Sequence, residues 1–285
     1  MEKKKYAVIG HPIGHTMSPF IHKRLFELEG IDADYSVFDI TPEELTIKYR
    51  EVLKNLDGYN ITIPHKQTII PLLNCLDKKA EMYGSVNTVK NAEGIAKGFT
   101  TDPNGFLKAL DAYDIPLKQN VVIVGTGGVA RVMAFEAAIA GCAITIAVRE
   151  SDLHDVAALA AELKLKVAGV SVDTCKINRL DHFEKSTIDL LINATPVGMY
   201  PNADACPIGD DIISRCAHVF DAIYNPLETT LVKKAKANGA KAIGGISMLV
   251  WQAVVSHEIW NGTSFDKSDI EKLCNDSAEE LQKIF

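Results

Sequence analysis

The chain opens on a short apolar run, Tyr6 to Gly10, that reads as a β-strand. From Ser18 to Gly30, Phe20, Leu25, Phe26 and Leu28 recur near helical spacing. Ser18 is the N-cap candidate of that helix, Pro19 takes its first position and Gly30 ends it. "DYSVFDI" (34–40) is strand-like. Thr41 and Glu44 then form a capping box with Pro42 at the first helical position. "GYNITI" (58–63) is a further strand, stopped by Pro64. "SVNTVK" (85–90) and "GIAKGF" (94–99) read as a β-pair, with the turn between Asn91 and Gly94.

The texture changes near residue 104. "VVIV" (121–124), "AITIAV" (143–148), "DLLINAT" (189–195) and "HVFDAIY" (218–224) are continuous apolar, β-branched runs. Helical patterns separate most of them. Strands buried on both faces and joined by crossover helices predict a parallel, doubly wound sheet. No long linker, low-complexity tract or internal repeat interrupts the chain. The last segment, 245–285, returns to helices, with Ser268 and Glu271 as a second capping box.

Composition narrows the functional classes. The 285 residues are 47% hydrophobic and 24% charged, ample for one large or two smaller cores. A net charge of -7 offers no broad basic field for nucleic acid or an anionic membrane. Six cysteines lie scattered without CxxC spacing, as expected of reduced structural thiols in a cytoplasmic protein. The apolar stretch after the first lysines is too short for an export signal and breaks at Gly10. No run approaches a membrane span. His11 and His15 have the spacing of a helical metal pair, but Pro12 and Gly14 between them argue against a helix, so no metal is expected.

The sharpest local motif is "VVIVGTGGVARVMAFEAAIAG". Gly125, Gly127 and Ala130 fit GxGxxA between a strand and a helix that ends at Gly141. Gly125 permits the tight turn, Gly127 lets backbone approach a pyrophosphate, and Ala130 lets the helix pack against the strand. The helix N-terminus then offers free N–H groups and a positive dipole end to phosphates. The alternative is a tight turn in an α/β fold without a ligand. At the tip of the next strand, Arg149 and Glu150 stand side by side. An acid there accepts from a free ribose 2′-hydroxyl and favours NAD; an arginine pairs a 2′-phosphate and favours NADP.

Two further residues are candidates for proton transfer. Lys66 follows a strand and a rigidifying proline, and Asp102 lies in the turn-rich "TTDPNG". A lysine steered by an aspartate is an acid–base pair. Singly, the lysine also reads as solvated and the aspartate as a turn or N-cap residue. Thr16 and Ser18, two hydroxyls before a helix, can hold a small carboxylate.

Together these segments resemble the shikimate dehydrogenase family, including its quinate/shikimate dehydrogenases, over nearly the whole chain. The carriers are "GHPIGHTMSPFIH", "GYNITIPHK", "SVNT", "TDPNG", "GTGGVAR", "NATPVGM", "DAIYNPLETTLV" and "GGISMLVWQA". The resemblance implies two α/β domains. One is a discontinuous substrate-binding catalytic domain, 1–103 with 245–285; the other is a Rossmann-type doubly wound dinucleotide-binding domain, 104–244. It implies that Lys66 and Asp102 form the catalytic pair and that Thr16 and Ser18 hold the substrate carboxylate. Thr62, Asn87, Gln252 and Tyr224 would bind ring hydroxyls. Gly125, Gly127, Gly128, Ala130 and Arg131 would surround the pyrophosphate, with Arg149 and Glu150 at the ribose. Asn193, Thr195, Met199, Gly245 and Met248 would lie near the nicotinamide. The implied reaction is the reversible NADP- or NAD-dependent reduction of 3-dehydroshikimate to shikimate, a step toward chorismate and the aromatic amino acids. It needs no metal, and the enzyme would act as a monomer or homodimer on a small molecule alone.

Several positions depart from the family pattern. Leu153 stands where a second base is expected, and Glu150 adds an acid, which leans the cofactor choice toward relaxed or NAD use. Thr16 replaces a commoner serine, and Thr100 and Lys23 replace asparagines. The alternatives are an NAD-dependent quinate/shikimate dehydrogenase and, more remotely, a non-catalytic nucleotide-binding regulator.

Overall fold

The computed structural model describes residues 3–14, 16–182 and 187–284. The chain divides into two compact units: Met1–Gly105 with Val250–Phe285, and Phe106–Leu249.

The first unit carries six strands: β1 (Lys4–Gly10), β2 (Ala33–Asp39), β3 (Gly58–Ile61), β4 (Cys75–Leu76), β5 (Thr88–Ala92) and β6 (Ile95–Phe99). They form one mixed sheet in the order β2-β1-β3-β5-β6-β4. β1 pairs in parallel with both β2 and β3, while β5 runs antiparallel to β3 and β6. β1 and β3 are central strands, which is why "YAVIG" and "GYNI" are buried along their length instead of alternating. β5 and β6 join through Glu93 and Gly94, both at positive φ, as a two-residue hairpin turn demands. Around the sheet lie α1 (Ser18–Glu29), α2 (Leu45–Glu51), α3 (His65–Thr68), α4 (Lys78–Tyr83) and the start of α5 (Asp102–Ala112).

The second unit is wholly parallel. Its strands are β7 (Asn120–Val124), β8 (Ala143–Val148), β9 (Ser171–Lys176), β10 (Ile188–Asn193), β11 (Cys216–Asp221) and β12 (Lys241–Ile243). Their order, β12-β11-β10-β7-β8-β9, reverses direction between β7 and β10. That reversal is the switch point at which doubly wound sheets open a crevice beyond their strand ends. α6 (Gly128–Ile139), α7 (Leu153–Lys166), α8 (Asp210–Ile213) and α9 (Thr230–Ala237) supply the connections. α10 (Ile246–Asn261) begins in this unit and continues in the first, which α11 (Lys267–Ile284) completes. No helix of the described residues is long and apolar enough to cross a membrane. All six cysteines are free thiols; burial pushes Cys142 up to about 11 and Cys216 up to about 12, which keeps both protonated at neutral pH.

Three helix starts differ from the sequence expectation. α1 begins at Ser18 itself, and the Thr16 hydroxyl takes the Ser18 N–H at 3.2 Å, so Ser18 is not the cap. The Thr41–Glu44 box forms its return bond, from Thr41 N–H to the Glu44 carboxylate at 3.0 Å, but closes a turn, and α2 starts only at Leu45. α11 starts at Lys267, where the Asp266 carbonyl accepts from Asp269 and Ile270, so Ser268 lies inside the first turn.

One contact fastens the end of the chain onto the first sheet. Trp260 of α10 donates its indole N–H to the Val89 carbonyl at 2.9 Å, and its ring lies 4.6 Å from Tyr6, which meets Phe26 at 5.0 Å. The indole fits only because residue 58 is glycine. A Cβ there would stand 2.4 Å from Trp260 Nε1 and 2.8 Å from the Val89 carbonyl oxygen. Overpacking of this kind costs ~1–3 kcal/mol, so Gly58→Ala should lower the free energy of unfolding by that amount, read as a lower urea midpoint at constant m-value. An unchanged midpoint would show that the indole can move aside.

Candidate active site

β3 leads through Thr62, Ile63 and Pro64 into α3, whose second residue is Lys66. Asp102 is the first residue of α5, immediately after β6 and Thr100-Thr101. These two starts meet. Lys66 Nζ donates to Asp102 Oδ2 at 2.6 Å, with side chains 19% and 9% exposed. The second carboxylate oxygen accepts from the Asn87 amide at 2.7 Å. Asn87 is itself fixed, because its Oδ1 accepts the Thr101 N–H at 2.7 Å and its amide lies 3.4 Å from Gln252 Oε1. Lys66, Asp102, Asn87 and Gln252 are therefore one cluster in the first unit.

A second cluster lies at the start of α1. Thr16 Oγ1 donates to Ser18 Oγ at 3.1 Å, so the two hydroxyls act as one polar patch. Tyr35 of β2 carries a phenol whose pKa is raised by desolvation. Tyr35 donates to Asn60 Oδ1 at 2.8 Å, and the Asn60 amide donates to Thr88 Oγ1 at 3.1 Å and to Ser256 Oγ at 3.0 Å. Thr88 donates onward to Asn87 Oδ1 at 3.3 Å. A chain of polar groups thus connects Tyr35 through Asn60, Thr88 and Asn87 to the Lys66–Asp102 pair. Thr62 follows β3 half-buried, its N–H bonded to the Ile9 carbonyl at 2.9 Å. Tyr224, named with these residues from the resemblance, belongs to the second unit.

Sequence reasoning overlooked Tyr35, Asn60, Thr101 and Ser256. One signal was present for Asn60: an amide in a fully buried strand must find partners. A cavity of about 530 Å³ in this unit, lined by Lys3, Lys5, Lys54 and Asp57 among others, holds none of the candidate residues.

In the second unit, the loops after β7 and β10 meet at the switch point. Gly125 has φ +110°, and a Cβ on it would come within 2.9 Å of Thr195 Cγ2 and 3.0 Å of the Ala194 carbonyl. Beyond it, Gly127 caps α6, and a Cβ at Gly127 or Gly128 would stand in open space. Ala130 is fully buried, so α6 packs directly on the sheet. A cavity of about 350 Å³ opens there, lined by Gly125–Gly127, Arg149 and Ala194–Val197 among others. An elongated ligand with phosphates fits this cradle: bare backbone faces it and a helix N-terminus ends in it.

The other cofactor candidates divide. Arg149 lines the cavity but is paired with Asp152 at 3.0 Å. Glu150 is absent from the lining and points to Lys176. Arg131 is turned to Glu162 of α7 at 2.5 Å and lies over the Phe135 ring, because the acid on the neighbouring helix is within its reach. Met199 is exposed, Met248 is buried, and the Gly245 N–H donates to the Ile223 carbonyl at 2.8 Å. Tyr224 is half-buried, and desolvation raises its phenol. Among the described residues no group of three or more His, Cys, Asp or Glu could hold a metal. His11 bonds Asp39 at 2.7 Å, and His15 of the sequence pair lies outside the described residues.

Asn193 governs the loop after β10. Its Oδ1 accepts from Thr195 N and Oγ1 at 3.1 and 2.7 Å, and its amide donates to the Val197 carbonyl and to Asp221 Oδ1. Asp221, fully buried at the end of β11, also accepts from Ile223 N at 3.1 Å and Thr229 Oγ1 at 2.7 Å. Sequence reasoning missed it, although an acid ending an apolar strand was the signal.

A parallel dinucleotide-type sheet with a glycine loop, in one chain with a buried lysine–aspartate pair, defines a class: two-unit oxidoreductases that use a nicotinamide dinucleotide. Comparison with known proteins narrows it. Residues 8–89 match the shikimate dehydrogenase substrate binding domain. The NADP-dependent shikimate dehydrogenase of Methanocaldococcus jannaschii is 38% identical, covering 98% of this chain and 98% of that protein. That of Caldanaerobacter subterraneus subsp. tengcongensis is 36% identical over 95% and 96%. The solved Thermus thermophilus shikimate 5-dehydrogenase, in complex with NADP(H) and shikimate, superposes with a TM-score of 0.84 at 32% identity, covering 96% of this chain and 99% of that one. The chain belongs to the shikimate dehydrogenase family.

Burial outweighs the three hydrogen bonds at Asp221 and lifts its carboxyl from 3.8 to about 6. A raised carboxyl favours the folded state when protonated. That contribution is complete below the unfolded value and is lost as pH rises through about 6. The melting temperature of Asp221→Asn relative to the parent should therefore improve from about pH 4 to just above pH 6 and stay level at higher pH. A difference independent of pH would mean that the Asp221 carboxyl is not raised.

Proposed function

We propose that this protein is an NADP-dependent shikimate dehydrogenase that interconverts 3-dehydroshikimate and shikimate. The observation that carries the reading is the Lys66–Asp102 pair, 2.6 Å apart and held from behind by Asn87. The matched family segment and the relatives' own activity supply the substrate. The pairing of Glu150 with Lys176 removes the reason to expect an NAD preference. The same reading makes the protein a cytoplasmic enzyme of small molecules, working as a monomer or homodimer.

The roles follow from charge. Bound in the second unit, the dinucleotide supplies hydride in reduction and takes it back in oxidation. As the carbonyl is reduced, negative charge grows on its oxygen. The Lys66 ammonium stabilises that charge and delivers a proton to it; in the reverse direction the amine receives the proton from the ring hydroxyl. Asp102 aims the ammonium, while Asn87 prevents the carboxylate from turning away. The Thr16 and Ser18 hydroxyls take the substrate carboxylate at the start of α1. Thr62, Asn87 and Gln252 serve the ring hydroxyls. The glycine loop, with Thr195 and Asn193, takes the dinucleotide.

Steady-state oxidation of shikimate and quinate, each with NADP and NAD, tests the assignment. Shikimate with NADP should give the highest kcat/KM. Quinate turnover with NAD as the favoured pair would move the enzyme to the quinate/shikimate branch, and no turnover in any combination would refute catalysis on these acids. Lys66→Met keeps the apolar stem and should lower kcat by ~10²-fold or more, the usual contribution of a positioned proton donor. Nucleotide affinity, measured by fluorescence quenching, should stay as it was. Full activity in that variant would remove Lys66 from the mechanism.

A further inference from the structure

We propose that Lys176 sets the nucleotide preference of the second unit by holding the Glu150 carboxylate away from the 2′ position of the adenosine ribose. The inference rests on the reading that this unit binds a dinucleotide. β8 and β9 run in parallel with Val148 paired to Lys176, so both strands end at one level. Arg149 and Glu150 leave β8 beside that lysine and take different partners. Arg149 donates from Nε and Nη2 to the Asp152 carboxylate at 3.0 and 3.2 Å, and both residues line the cavity. Lys176 Nζ donates to Glu150 Oε1 at 2.5 Å, which lowers the Glu150 pKa and fixes its charge. Ile177, the residue after Lys176, lines the cavity too, which keeps the lysine at its rim.

The rim holds two cations, Arg149 and Lys176, against three acids, Glu150, Asp152 and Asp155. A carboxylate at the tip of such a strand accepts from a free 2′-hydroxyl and repels a 2′-phosphate. Tied to Lys176, Glu150 does neither. Arg149 then meets the 2′ substituent with Glu150 held aside, and a phosphate can take the guanidinium from Asp152 by the same bidentate pairing. Released from Lys176, Glu150 becomes a bare acid at the ribose.

The test is calorimetric binding of adenosine 2′,5′-bisphosphate and 5′-AMP to the parent protein, Lys176→Met, Glu150→Gln and the double variant. The ratio of the two affinities reads the 2′-phosphate alone. Lys176→Met should lower that ratio about fivefold, the scale of one exposed ion pair. Glu150→Gln should leave it near the parent value, and the double variant should return it to the parent value. The NADP-to-NAD ratio of kcat/KM with shikimate should move in parallel. A ratio unchanged in Lys176→Met overturns the proposal. So does a loss that persists in full in the double variant, because Lys176 then acts on the phosphate directly and not through Glu150. If the parent binds neither nucleotide, the dinucleotide reading falls and this proposal falls with it; if it binds both and the ratio does not respond, this proposal falls alone.

Discussion

The first unit depends on the hydrogen bond between the Asn87 amide and Asp102, 2.7 Å long and closed to solvent. A lysine and an aspartate from two helix starts are free to swing unless something stiffer holds them. Asn87 is stiff because it lies at the head of a central strand and its carbonyl oxygen is claimed by the Thr101 N–H. The carboxylate therefore offers its remaining oxygen in one direction, and Lys66 follows. Behind this stands Asn60, whose amide and carbonyl tie together β2, β5 and α10. Buried amides are costly when a partner is missing. The same cost, with every partner present, makes the arrangement specific.

The second unit solves a similar problem with different groups. Its loop after β10 must lie against Gly125 without strain, and Asn193 folds that loop back onto its own strand end. Asp221 is the anchor beneath Asn193, and Thr229 joins the anchor to the first turn of α9. Each unit thus uses a buried Asn–Asp contact to hold a segment of its candidate site.

How legible this was depended on the kind of signal. The second sheet could be read because "VVIV" and "AITIAV" are apolar without alternation, and only burial on both faces explains that. β9 was passed over because "SVDTCK" is an edge strand, half exposed and polar at alternate positions. Lys66 and Asp102 were named from the sequence, but their meeting is a tertiary fact across 36 residues that no spacing rule contains. The resemblance alone brought them together. Lys176 was invisible for the same reason: it reaches Glu150 through strand register, across 26 residues. Helix starts slipped by one to three residues because Thr16, Glu44 and Asp266 offered competing acceptors near each end.

The seat of Trp260 against Gly58 bears on how the chain is made. The first unit is built from the beginning and the end of the sequence, and its core stays open on one side until residue 260 arrives. The second unit ends at Leu249. During synthesis from the N-terminus, the middle of the chain is complete first and can fold as a unit while the opening strands still wait for α10. Until then the Val89 carbonyl lacks its indole partner. On the ribosome, the Lys66–Asp102 pair belongs to the half that closes last.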